Sequence, residues 1–240
     1  MIAHMTDLAA RAVKAGAAHS KFLTPSEAEE ARRYFIRRND VTLTFDGGFA
    51  DAERTVVIFA NAEWGGVERE DVLAALSLMY RKQDHIAHRD ILGAILALGI
   101  ERGAVGDICL GNPSYVVCLR YMADFIRDNL KQVGRVGLAV EREPLSALPK
   151  ITHTLDEKTG TVASLRFDAV TAAIFNLSRG VAAEYIVQGN AQLAHRICED
   201  ASEAVSVGEI ISVRGLGRAK LLEIGGQSRK GRYWIKFGVY

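Results

Sequence analysis

The chain has 240 residues, 49% of them hydrophobic and 25% charged, with a formal net charge of +1. That length supports two or three small domains, each with its own core. A near-zero charge excludes a protein coated all round with nucleic-acid-binding cations. The balance is uneven, however: residues 165–240 carry ten Lys and Arg against seven Asp and Glu, and the rest of the chain 20 against 22. A local basic surface is therefore expected towards the C-terminal end. Cys109, Cys118 and Cys198 are too few and too scattered for a zinc cluster, and their odd number argues against a disulfide framework, so a cytoplasmic setting is expected. No apolar run reaches the roughly 20 residues of a membrane span. The first residues lack the basic stretch and hydrophobic core of a signal peptide, and no internal repeat or low-complexity tract is present.

Met5, Leu8, Ala9, Ala12 and Val13 keep helical spacing, which predicts an amphipathic first helix ending near Gly16. Thr24, Pro25 and Glu27 form a capping-box signature for a second helix reaching about Asn39. Its tail holds Arg32, Arg33, Arg37 and Arg38, cations favoured at that end by the helix dipole. Residues 41–45, a turn at Asp46-Gly47-Gly48 and residues 54–60 predict a strand hairpin.

From residue 70 the pattern predicts a strand (72–80), a helix (89–98), two strands (105–110 and 115–119), a helix (121–131) and a strand (136–141). That order is β-α-β-β-α-β, the ferredoxin-like arrangement that also serves RNA-recognition domains. The stacking aromatics of such domains are missing from residues 105–119, where only Tyr115 is aromatic. His88-Arg89-Asp90 superficially matches a kinase catalytic loop, but Ile95 stands where that loop needs an Asn to hold metal. His85 and His88 have no Cys or third His nearby, so no metal site is expected and Asp90 reads as a helix-start residue. Residues 145–161, with Pro149 and Gly160, read as a connection.

Val170, Ala173, Ile174 and Leu177 then lie on one face of a short helix, with Asp168 placed to cap it. Ser178 is a good cap for a second helix carrying Ala182, Tyr185 and Ile186, and Gly189 suits its end. Neither helix can bury its stripe alone, so strands near 191–194 and 207–213 are expected to complete a layered fold. Gly215-Leu216-Gly217 lacks the third glycine and following helix of a dinucleotide site and reads as a turn. Residues 219–224 and 232–237 read as strands, with a loop at 225–231 between them. Arg166 and Arg179 stand beside helix starts, where a cation and unpaired backbone N–H groups together suit phosphate.

The text Arg166-Phe167-Asp168, Ser178-Arg179, Ala182, Ile186, Gly189, Gly208, Ile210 and Val213 resembles the S4 domain, a small RNA-binding fold. It departs from that family at Gly189-Asn190-Ala191-Gln192-Leu193-Ala194, where Ala194 stands in place of a usual asparagine. Tyr80-Arg81-Lys82, His88-Arg89-Asp90-Ile91-Leu92-Gly93-Ala94, Leu98-Gly99-Ile100, Gly106-Asp107-Ile108 and the tail from Gly217-Arg218 to Gly231-Arg232-Tyr233 extend the likeness. With them the whole chain resembles the YlmH family of bacterial S4-domain proteins. The resemblance implies an RNA-binding protein of the large ribosomal subunit, concerned with stalled nascent chains still held as peptidyl-tRNA.

The combined expectation is an α+β chain in four parts. These are a helical and hairpin region (1–66), a ferredoxin-like middle domain (67–148), a linker (149–163) and an S4 RNA-binding domain with a C-terminal hairpin (164–240). The expected RNA-binding residues are Arg166, Arg179, Arg214, Arg218, Lys220, Arg229, Lys230, Arg232, His88 and Arg89, the aromatic Tyr233 and Trp234 lying beside the last cations. The expected partners are ribosomal RNA of the large subunit and peptidyl-tRNA, with no membrane partner and a monomeric chain. No catalytic residue, metal or cofactor is expected. The alternative is an RNA-modifying enzyme of pseudouridine synthase or methyltransferase type with an appended S4 domain; an RNA-independent scaffold would leave the arginines without a purpose.

Overall fold

The computed structural model describes residues 1–64, 66–149, 155–228 and 231–240. The chain divides into two compact units, Met1–Thr152 and His153–Tyr240.

In the first unit, α1 (Ile2–Ala15) is followed by β1 (Ala17–His19), α2 (Pro25–Phe35), β2 (Val41–Asp46) and β3 (Val56–Asn61). The strands form an antiparallel sheet in the order β1-β3-β2. Met5, Leu8 and Ala12 of α1 and Ala28, Ala31 and Phe35 of α2 share a core with Val57 and Phe59. The predicted capping box at Thr24 is present: its Oγ1 accepts from Glu27 N–H at 3.3 Å, and Glu27 accepts from Thr24 N–H at 2.7 Å. The helix stops at Phe35, so Arg37 and Arg38 lie beyond it. The connection after Asp46 is also longer than a hairpin turn. Arg69 braces it, donating to Asp46 Oδ1 at 2.8 Å and to the Gly48 carbonyl at 2.9 Å.

A short α3 (Arg69–Val72) leads into β4 (Leu73–Met79), α4 (His88–Ala97), β5 (Val105–Cys109), β6 (Ser114–Leu119) and α5 (Arg120–Asn129). The small hairpin of β7 (Gln132–Val133) and β8 (Val136–Gly137) precedes β9 (Ala139–Glu143). The sheet order is β5-β6-β4-β9, with every neighbouring pair antiparallel. Leu73 to Leu78 are buried without alternation, the mark of a strand covered on both faces. Ile91, Ile95, Ala123 and Ile126 of the helices join its core, as do Phe22, Phe49, Val56 and Ile58 from the N-terminal segment. Gly106 permits that contact, since a Cβ there would lie 2.6 Å from the Phe22 ring. Beside it, Asp107 accepts from the backbone N–H of Glu53 at 2.6 Å. Burial pushes the Asp107 carboxyl up, against the opposing effect of those backbone N–H groups.

The second unit begins with β10 (Asp156–Val162), continues through α6 (Phe167–Ile174), α7 (Arg179–Val187), β11 (Ala191–Leu193) and β12 (Arg196–Ile197), and ends with β13 (Ile210–Val213), β14 (Gly217–Gln227) and β15 (Tyr233–Val239). These strands make one antiparallel sheet in the order β10-β15-β14-β13-β11-β12. Two expectations are corrected. Residues 156–162, read as connection, pair along their length with β15; charged and small residues there hide a strand that alternation alone does not mark. The loop expected from residue 225 starts later, because β14 runs on to Gln227 through an irregular register with β15.

Phe167, Val170, Ile174 and Ile186 of the helices bury against Ile211, Val213, Ala219, Leu221, Ile235 and Phe237 of the sheet. Ser178 caps α7, accepting from Val181 N–H at 3.2 Å, and Gly189 follows that helix with φ of 71°. The cap of α6 is different from the one expected. Arg166 occupies the N-cap position without a side-chain cap bond, while Asp168 lies inside the helix with another task.

Candidate nucleic-acid interface

Asp168 is buried in the first turn of α6, its side chain 7% exposed, and two arginines close on it. Arg166 donates through Nε and Nη2 to the two carboxylate oxygens, both at 3.3 Å. Arg179, the first residue of α7, does the same at 3.1 and 3.2 Å. Each is a two-point fork, the geometry in which a guanidinium is best fixed. Burial by itself would raise the Asp168 carboxyl, but the hydrogen bonds from Arg166 and Arg179 outweigh it and hold the group below the usual carboxylate range. The guanidiniums themselves remain about half exposed. Two cations share the one buried carboxylate; Asp200, held low first by its hydrogen bonds from Ser202 and in smaller part by the charge of Arg166, is a second acid near the pair. The second terminal nitrogen of each fork is left for an anionic oxygen.

The remaining expected residues fall into distinct groups. Arg214 is exposed in the turn between β13 and β14, where its backbone N–H donates to the Asn190 carbonyl at 2.9 Å. Arg218 and Lys220 alternate with buried Ala219 and Leu221, so they share the sheet face opposite the helices. The Arg218 guanidinium lies 5.7 Å from the Tyr240 ring centre. By the same alternation Trp234 and Lys236 of β15 share that face, and Trp234 is 53% exposed. Arg232 is committed locally, donating to Thr161 Oγ1 at 3.2 Å and the Thr161 carbonyl at 2.7 Å, a brace between the ends of β10 and β15. Arg229 and Lys230 lie outside the described residues. His88 and Arg89 belong to the other unit, both exposed at the start of α4, with Arg89 Nε 3.7 Å from Asp90. Asp90 accepts from Ala87 N–H at 3.1 Å, a helix-start role.

Asp168 is the functional candidate that sequence spacing misassigned. Its position two residues after one arginine and eleven before another gave no sign of the fork, because the second contact depends on how α6 and α7 fold back on each other. Cys118 is buried, its thiol pushed up to about 12 by burial, which keeps it protonated and unreactive.

Two family models match the chain: "YlmH, N-terminal" over residues 1–64 and "Putative RNA-binding domain in YlmH" over residues 70–147. Among solved structures, the chain is similar to the cell division protein ylmH from Streptococcus pneumoniae, with a TM-score of 0.48 and 19% identity, covering 60% of this chain and 92% of that one. A curated relative, ribosome-associated protein quality control protein P2 of Bacillus subtilis, is 31% identical over 200 residues, which span 82% of this chain and 78% of the relative. Identity at that level over most of both chains, together with the two family models, shows that the chain belongs to the YlmH family.

Proposed function

We propose that this chain is a non-catalytic RNA-binding protein of the large ribosomal subunit. It acts there in quality control of stalled nascent chains carried as peptidyl-tRNA. The observation that carries the reading is the pair of arginines forked on buried Asp168, two half-exposed cations fixed in place before any RNA arrives. Ordering flexible side chains is a large part of what binding costs, and a prearranged pair has met that cost in folding. Phosphates held at such cations set position and orientation, while duplex RNA is read by shape and 2′-hydroxyls. The name of the Bacillus subtilis relative, a ribosome-associated quality control protein, supports the setting.

In this reading the second unit is an S4 domain. The four-stranded region of the first is ferredoxin-like, consistent with its β-α-β-β-α-β succession and β5-β6-β4-β9 order. The domain limits are those expected from the sequence, with β10 added to the S4 sheet. The protein acts as a monomer in the cytoplasm. Arg214, Arg218 and Lys220 extend the phosphate contacts, with Trp234 available for base stacking.

The test is binding of the full chain to purified large ribosomal subunits. A triple variant, Arg166→Gln, Arg179→Gln and Asp168→Asn, removes the whole fork without leaving a buried charge unpaired. In the variant, shown by cooperative thermal unfolding above the assay temperature to be folded, affinity should fall at least tenfold. Unchanged affinity in the folded variant would place the site elsewhere.

A further inference from the structure

We infer that the first unit carries a second phosphate-binding site, at the end of its four-stranded sheet where β4 terminates, and that its ligand is the RNA backbone. The inference rests on the RNA-binding reading and adds a site separate from the arginine fork.

The strand registers define this end of the sheet. Leu78 pairs with Ser114 and Met79 with Ala139, so the end of β4, the start of β6 and the start of β9 lie together. The loop to α4 leaves from here, and the β7-β8 hairpin returns here just before β9. Arg81 and Lys131, fifty positions apart in sequence, line one hollow here, and Lys82, Arg89 and Arg135 lie on the adjoining loop, the start of α4 and the β7-β8 turn, all exposed. Arg89 lies near Asp90, but none of the other four makes an ion pair among the described residues. Lys131 Nζ donates to the Arg127 carbonyl at 3.4 Å, and Asp128 is held low chiefly by its hydrogen bond from Arg127, with a small addition from the Lys131 charge. Many cations elsewhere in this unit are paired: Lys21 with Glu101, Arg33 with Glu29, Arg38 with Asp40, Arg69 with Asp46 and Arg127 with Asp124. Arg81 and Lys131, neither of them in an ion pair among the described residues, place positive charge on both sides of the hollow in an otherwise acid-leaning segment.

The region also has a shape. An open hollow of about 560 Å³ is lined by Met79, Tyr80, Arg81, Lys131, Gly137, Leu138 and Ala139. Arg81 and Lys131 face it from different elements, as two cations must to hold one phosphate or two successive ones. The backbone on which Arg81 stands is anchored. Tyr80 Oη donates to the Gly111 carbonyl at 2.6 Å and lies 3.0 Å from Ser114 Oγ, and Asn112 Nδ2 donates to the Tyr80 carbonyl at 3.3 Å. An open hollow bordered by two exposed cations suits a phosphodiester passing over the surface better than an enclosed small molecule.

The experiment measures affinity of the full chain for intact large ribosomal subunits and for protein-free ribosomal RNA across a salt series. It compares the unaltered protein, Arg81→Glu with Lys131→Glu, and the triple fork variant. Both hollow residues are exposed, and unfolding temperatures confirm that each variant folds. The hollow variant should bind both probes about tenfold more weakly at low salt. Its log–log salt slope should flatten by about 1.4 to 1.8, two lost contacts at roughly 0.7 to 0.9 each. An unchanged hollow variant beside a weakened fork variant would overturn this inference and leave the proposed function standing. A loss on intact subunits but not on protein-free RNA would overturn it in favour of an acidic protein partner. Failure of the unaltered protein to bind either probe would overturn both.

Discussion

Asp168 shows how a single residue can be assigned to the right helix and the wrong task. Its depressed carboxyl contributes stability that is fully present above the usual Asp value, about 4. That contribution is lost as pH falls through the lower, folded-state value, because protonation then removes the charge both arginines hold. Asp168→Asn should therefore be less stable than the unaltered protein at neutral pH, with the gap closing as pH falls through the folded-state value. Denaturant unfolding at several pH values checks this, and a gap independent of pH would mean the fork contributes nothing electrostatic. The same variant separates two accounts of binding. Simple charge counting predicts tighter RNA binding once a carboxylate is gone, whereas an orienting role for Asp168 predicts weaker binding; the fork geometry favours the second outcome.

Ala194 is the other instructive residue. The departure from the S4 pattern at this position was visible in the sequence, and the structure gives its consequence: Ala194 and His195 have φ of 49° and 64°, in the turn between β11 and β12. An L-residue with a Cβ carries a cost of about 1–2 kcal/mol in that region, which Asn or Gly lessens. Ala194→Asn is expected to stabilise the chain by about 0.5–1 kcal/mol. Equilibrium denaturation measures it, and a destabilised variant would show that the Ala194 methyl makes contacts worth more than the relieved strain.

At the level of elements, most helices and central strands were legible because their apolar periods are clean and their ends carry chemical marks. Thr24 with Glu27, Ser178 and Gly189 each mark a boundary the structure keeps. What was not legible depends on partners distant in sequence. The segment 156–162 becomes a strand because β15 offers a full edge to pair with. Residues 17–19 become one because β3 does the same. Gly106 belongs to this class too, since its need for a small residue comes from Phe22, more than eighty positions earlier. Gly106→Ala should cost about 1–3 kcal/mol through overpacking against that ring. Adding Phe22→Leu should recover part of the loss. A cost below about 0.5 kcal/mol, within the range of ordinary surface changes, would mean that the ring gives way freely.

Over the whole molecule, the sequence located positive charge near the C-terminal end but could not say which cations act together. Arg166 and Arg179 meet on one carboxylate, Arg218 and Lys220 share a sheet face, Arg232 is spent on bracing Thr161, and Arg81 and Lys131 line one hollow from distant parts of the sequence. Family membership assigns the chain to a known group, while the geometry says which cations stand together and which are spent on local contacts. A binder that works through such fixed cations should show a steep loss of affinity with salt, about −4 in log–log slope for five duplex-like phosphate contacts.

The most direct measurement is sedimentation of the full chain with purified large ribosomal subunits at two salt concentrations, followed by mapping of the RNA cross-linked to Arg166, Arg179 and their neighbours. The account predicts comigration at low salt, release at high salt, and cross-links concentrated on ribosomal RNA, with tRNA joining when peptidyl-tRNA occupies the subunit. Free migration at low salt, or comigration insensitive to salt with no RNA cross-linked near the fork, would contradict it.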